Sequence, residues 1–357
     1  MKNLKLIALL ISFSFMIACS SDDEVTSSID IPAQFSVDIP QPISANAGGL
    51  SGRTSGDGDG VIEGDEIYES LRHFIKIGEG SAEIVELTLL VAVALEVQNI
   101  RTFTFESEDD NREKRIDLVE GVTRGGVAYD YEMTMIDVAD NEMALQLLWN
   151  TDPVEGVAIL KPYNINRDEQ TDEPNAFVRI EYSEDDATYD ATMTVSIAGI
   201  QPVDNGDIDN MKMFVGKKGD IVEVMGNSNH PNIEIVDPNF TGGRNYAFVG
   251  RGDESTDLGV IKLALPPSST TTSDVLEDFS VFAVLEAEIN AVANLDQSII
   301  DAILAEALSP AYFNNDGFIT SGTDNKPASF DAAFVDLSGM NPFVPNDIQN
   351  LEIDFIQ

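Results

Sequence analysis

The stretch Tyr129-Asp130-Tyr131-Glu132-Met133-Thr134-Met135 decides the fold class: apolar or aromatic residues alternate with polar ones along it. Side chains of a strand point to opposite faces in turn, so a period of two marks a ribbon with one face on a core. Working outward, the signature recurs. Met143–Trp149 and Val154–Leu160 flank Asp152-Pro153, the turn of a hairpin. Phe177–Tyr182, Tyr189–Ile197, Met211–Val215, Ile221–Met225, Tyr246–Val249 and Val260–Leu263 continue the series, with Gly216-Lys217-Lys218-Gly219-Asp220 turning between two of them. Residues 101–265 are therefore expected to be antiparallel strands. The strings 129–134 and 189–194 match at four positions, too few to define a repeat architecture.

Helical patterns flank this region. Ile67, Leu71, Phe74 and Ile75 share one face at helical spacing. Ser81, Glu83 and Glu86 then suit the start of a second helix, and Ile84–Val97 is apolar almost all round, as in a helix surrounded on every side. A buried strand over Leu87–Val97 is the competing reading. After the linker Pro266–Ser273, residues 274–308 are helical, with Val281, Leu285, Ile289 and Val292 on one face. The tail from Pro310 is rich in Pro, Gly and Asn, with short apolar pieces ending at Ile356. The expected fold class is α+β: a curved antiparallel β-sheet or open barrel packed on apolar helices, the sheet wrapping round Ile84–Val97.

The chain has 357 residues, a formal charge of −43 and 43% hydrophobic residues, so its charge overlies an ordinary core composition. That charge excludes binding to nucleic-acid phosphates, which requires clustered Lys and Arg, and opposes docking on anionic lipid. One Cys excludes an internal disulfide, and two His exclude a multi-His zinc site.

The N-terminus carries an address. Lys2 and Lys5 precede the largely apolar run Leu6–Ile17, which is too short to span a bilayer and suits the core of a signal peptide. It ends in Met16-Ile17-Ala18-Cys19. This resembles the lipobox of bacterial lipoproteins, although Met16 stands where the family usually has Leu. The resemblance implies cleavage after residue 18, lipidation of Cys19 and anchoring by acyl chains at about 0.8 kcal/mol per buried CH₂. Ser20-Ser21-Asp22-Asp23-Glu24 resembles the acidic signal that sends lipoproteins of Bacteroidetes-type bacteria to the outer face of the outer membrane. Loss of Lys2 and Lys5 takes the charge from −43 to −45. The expected organisation is a signal peptide over 1–18, a lipidated flexible tether over 19–60 and a globular domain over 61–357. Within the tether, Phe35, Val37 and Ile39 alternate and can dock as an edge strand. Lys161-Pro162-Tyr163-Asn164-Ile165 and the 213–220 stretch resemble uncharacterised lipoproteins of the same group, which implies no activity.

The sharpest chemical motif is residues 55–66, which resembles the calcium loop of EF-hands. Asp57, Asp59, the Val61 carbonyl, Glu63 and Glu66 fall at ligand positions and Gly60 at the sharp turn. Ser55 replaces the usual first Asp and no helix enters the loop, so a plain acidic linker ending in a helix cap stands beside calcium binding. Asn314-Asn315-Asp316-Gly317 reads as a turn, since position 12 of its frame is Thr323. Asn227–Asn232, which contains His230, is a turn or an amide-lined loop, and His73 has no partner at ligand spacing. Arg251-Gly252-Asp253 matches the integrin tripeptide in letters but is better explained as a turn after Val249. Among 63 acids, carboxylate pairs of the hydrolase type arise by chance and carry no information. Three functions follow: a lipid-anchored, surface-exposed binding lipoprotein with a protein, glycan or small-molecule ligand, a carrier of an apolar ligand, or a carboxylate-based hydrolase.

Overall fold

The computed structural model describes residues 36–44, most of 62–80, and 101–167, 174–199, 210–228 and 245–357. One antiparallel sheet dominates. Its thirteen strands are β1 (Thr102–Glu106), β2 (Glu113–Arg124), β3 (Val127–Asp137), β4 (Glu142–Thr151), β5 (Val154–Leu160), β6 (Phe177–Ser183), β7 (Ala191–Ala198), β8 (Met211–Lys218), β9 (Ile221–Ser228), β10 (Tyr246–Asp253), β11 (Leu258–Ala264), β12 (Ala311–Asn314) and β13 (Gly317–Ser321). Each pairs only with its sequence neighbours, so among the described residues the sheet is an unbroken meander that ends at β1 and β13. Helices are a minor component among the described residues.

The alternation at 129–135 does what its period requires. Tyr131, Met133 and Met135 face the core, beside Leu145, Leu147 and Trp149 of β4. The Asp152-Pro153 hairpin joins β4 to β5 through a cis peptide bond. The β8–β9 turn is tighter than the sequence suggests: the strands run to Lys218 and from Ile221, leaving Gly219-Asp220, with Gly219 at φ +59°. Arg251 and Gly252 do not turn either, because β10 continues through Asp253.

One hydrophobic cluster takes residues from β2 through β12 together with Ile67, Tyr68, Leu71, Phe74 and Ile75 of the helical segment within 62–80. The sheet thus has an inner face that the protein fills with its own side chains. Tyr68 stacks on Phe318 at 6.0 Å and meets Phe313 edge-on at 5.5 Å, while Phe74 lies 5.3 Å from Tyr246. The expected helix Ile84–Val97 lies outside the described residues. The 274–308 region forms three short helices, Val275–Asp278, Val281–Val292 and Gln297–Ile303. Val281, Leu285 and Ile289 are buried as their spacing predicts, but Val292 is exposed.

The outer face is covered in patches by the C-terminal segment. Phe330, Phe334, Leu337 and Met340 pack on Val249, Val260 and Tyr312. Farther along, Leu351, Ile353, Phe355 and Ile356 pack on Leu148, Val157 and Ile159. Two-sided burial explains why β4 is apolar at successive positions and does not alternate.

Residues 36–44, expected within the tether, pack on the sheet: Val37, Ile39 and Ile43 are buried although 37–40 joins no ladder. Their seat is the cross-strand pair Gly252 and Gly259. A Cβ on Gly259 would sit 2.6 Å from Ile43 Cγ2 and 2.9 Å from Pro42 Cβ. Gly259→Val is accordingly expected to cost about 1–3 kcal/mol by overpacking and to detach this segment. Limited proteolysis should then cut within 36–44 in the variant and spare it in the wild type.

Candidate functional site

A cleft of about 600 Å³ lies on the outer face of β1–β4. Its floor carries Asp117 and Val119 of β2, Thr134 of β3 and Gln146 of β4. Arg101 and Thr102 form one wall and Ile356 and Gln357 the other. Period-two patterning builds this floor: the residues between the core-facing Ile116, Leu118 and Met133 must face outward.

The cleft's polar groups are tied together. Arg124 donates to both oxygens of Glu132, at 2.8 and 2.5 Å, and Glu132 also accepts from Gln146 Nε2 at 2.9 Å. Gln146 brackets the backbone of Ile356, donating to its carbonyl at 2.9 Å and accepting its N–H at 2.8 Å. The Gly125 N–H donates to the Gln357 carbonyl at 2.8 Å. Arg101 pairs with Glu120 at 2.5 Å, and Thr102 donates to Asp117 at 2.9 Å. An anion entering here would compete with carboxylates already in place. The lining includes no aromatic ring, so the cleft has no stacking platform for a sugar.

On the inner side of β2 and β3 lies a buried ionic cluster that sequence reasoning missed. Lys114 is 1% exposed, and its ammonium donates to Asp110 Oδ2 at 2.9 Å, Asp137 Oδ2 at 2.8 Å and the Asn164 carbonyl at 3.0 Å. Arg112 grips Asp137 with two hydrogen bonds, at 2.6 and 2.9 Å. Arg167 lies 4.4 Å over the Tyr163 ring and pairs with Asp140 and Glu142. Burial alone would push the Asp137 carboxyl up, but the hydrogen bonds from Arg112 and Lys114 outweigh it and hold the group well below the usual carboxylate range. Asp110 is lowered against its own burial by Lys114 and by the Arg167 N–H. All three ammonium protons are used, so the cluster is a latch joining the β1–β2 loop, the end of β3 and the short Pro162–Ile165 helix. The one signal in the sequence is the alternation Lys114, Ile116, Leu118, masked by charge at its first position.

The sequence-derived site residues mostly lie elsewhere. Cys19, Asp57, Asp59, Val61 and Glu66 are outside the described residues, as are His73 and His230. Glu63 is described and exposed. Around it, the Ile62 N–H donates to the Ile303 carbonyl at 2.9 Å and the Gly64 N–H to Glu306 Oε2 at 2.7 Å. Among the described residues no group of three or more His, Cys, Asp or Glu could hold a metal ion. Asn227 is in β9 and buried, and it donates to the Phe343 carbonyl at 2.9 Å, a structural use of its amide. Arg251 pairs with Glu223 and donates to the carbonyls of Ala333, Phe334 and Asp336, clamping the covering segment to the outer face. The turn at Asn315-Asp316 joins β12 to β13 as expected.

Comparison with family models, with curated proteins and with solved structures finds no match to this chain.

Proposed function

We propose that this chain is a lipid-anchored binding lipoprotein of the outer membrane, tethered through Cys19 and displayed at the cell surface. The observation that carries the binding reading is the sheet itself: a thirteen-stranded scaffold with a filled inner face and an open cleft of mixed polar and apolar lining on its outer face. A sheet this wide tends to curl, and described residues of the 62–80 segment pack against its inner face. An apolar carrier needs room where Tyr68, Leu71 and Phe74 already pack, which disfavours that reading. The displaced carboxylates Asp110, Asp137, Asp186, Asp253 and Asp336 all move downward, the opposite of what a general acid needs. A hydrolase therefore gains no support from them.

The address rests on Met16–Cys19 and the acidic run behind it. No described helix is long and apolar enough to cross a membrane, and acyl chains on Cys19 would supply the anchor. With a charge of −45 after cleavage, the head is repelled by anionic lipid and suited to face outward. Cys19→Ser should abolish incorporation of labelled palmitate and release the protein from membranes. Protease added to intact cells should remove the wild-type head; full resistance would overturn surface display.

A further inference from the structure

Strand β1 is the edge of the sheet among the described residues. Among the described residues it pairs on one side only, with β2, so its other side forms the rim of the sheet. Phe103 is 41% exposed at that rim and stacks at 5.7 Å on Phe105, which is itself part-buried against the core cluster. Glu106 stands directly across from Glu113, and both are exposed. Like charges in directly opposed cross-strand positions repel, and no basic side chain among the described residues forms an ion pair with either. Natural edges are blunted by shortness, by charged side chains, by proline or by a bulge, and β1 is short and carries Glu106. It has no lysine, proline or bulge between Thr102 and Glu106.

We propose that β1 is a docking edge for an extended, cationic segment of another protein, added as a further strand. Phe103 and Phe105 lie on the core side of the sheet, in register with the buried Ile116 and the inward Lys114. Thr102, Thr104 and Glu106 lie on the outer side, with Asp117, Arg115 and Glu113. An incoming strand therefore meets the exposed Phe103 ring on one face and a doubled carboxylate on the other. A segment alternating apolar residues with Lys or Arg satisfies both, its cation relieving the Glu106–Glu113 repulsion. The charge of −43 favours a basic partner from a distance and disfavours a second copy of this chain. The proposal rests on the reading of the chain as a binding protein and gives that binding a surface and a partner.

The test is titration of the purified full chain with a short capped peptide alternating lysine and valine, beside a scrambled peptide of the same composition and a glutamate–valine counterpart. The alternating peptide should bind, slow amide exchange at 102–106 and weaken as salt rises. Glu106→Lys should weaken it about tenfold, since it turns the attractive contacts into repulsive ones. That substitution sets a cation opposite Glu113 and is expected to leave the chain at least as stable as the wild type, so weakened binding cannot be put down to unfolding. Equal binding of the scrambled or acidic peptide, protection elsewhere than 102–106, or indifference to Glu106→Lys would each overturn the proposal. So would self-association through β1 that excludes the peptide. Lipidation and display are read separately in cells through Cys19, so either idea can fail without the other.

Discussion

Replacing Lys114 with methionine is expected to lower stability by about 3–5 kcal/mol, because it strips the buried Asp110 of its cation and leaves Asp137 to Arg112. Asp110 and Asp137 are both fully buried at their side chains, and among the described residues Lys114 is the one side chain that bonds to both. Burial decides the size of the effect. The exposed Arg101–Glu120 pair is equally well formed, yet Glu120→Ala should cost under about 1 kcal/mol. Urea unfolding should show the Lys114→Met midpoint well below wild type with little change in slope. The pH dependence follows from the lowered carboxyls. Their folded values lie below the unfolded value of about 4, so the stability they supply is complete above that pH and is lost as pH falls toward the folded values. The gap between wild type and Asp137→Asn should therefore be constant from neutral pH to about pH 5 and close in stronger acid. A gap that widens on acidification would contradict the latch.

Trp149→Ala should cost a similar amount, about 3–5 kcal/mol, by opening a cavity in the centre of β4. Trp149 is fully buried and stacked on Tyr131 at 5.1 Å. Its indole Nε1 has no hydrogen-bond partner among the described residues. Trp149→Phe loses volume but also removes a buried donor whose burial costs about 1–3 kcal/mol, so it should fall within about 1 kcal/mol of wild type. As the only Trp in the chain, its emission should lie far to the blue in the folded protein and move red on unfolding. If the Phe variant were as unstable as the Ala variant, the indole N–H would have to be contributing a bond.

Legibility in the sequence follows physical cause. Strands β3 to β11 are visible because each carries an inward apolar row, a turn signal, or both. β2 does not stand out, since Glu113-Lys114-Arg115 looks like a solvated charge run until Lys114 is seen to point inward. β12 and β13 are hidden because four and five residues of strand in a Pro- and Gly-rich tail give too short a period to detect. Residues 36–44 look like tether because three scattered apolar side chains cannot bury themselves; the sheet's glycine pair gives them a seat. The candidate cleft is illegible, since Arg101, Gln146 and Ile356 converge only through strand pairing and the return of the tail.

By itself the sequence determined the strand-rich class, the net acidity and the string at Met16–Cys19 that resembles a lipobox, because each depends on local periodicity, net charge or a contiguous motif. Only the tertiary structure decided that thirteen strands form one open meander, that Lys114 is buried between two aspartates, and that among the described residues β1 ends the sheet with Glu106 against Glu113. Those facts depend on which distant residues meet, and a period of two states which way a side chain points without stating what it will find there.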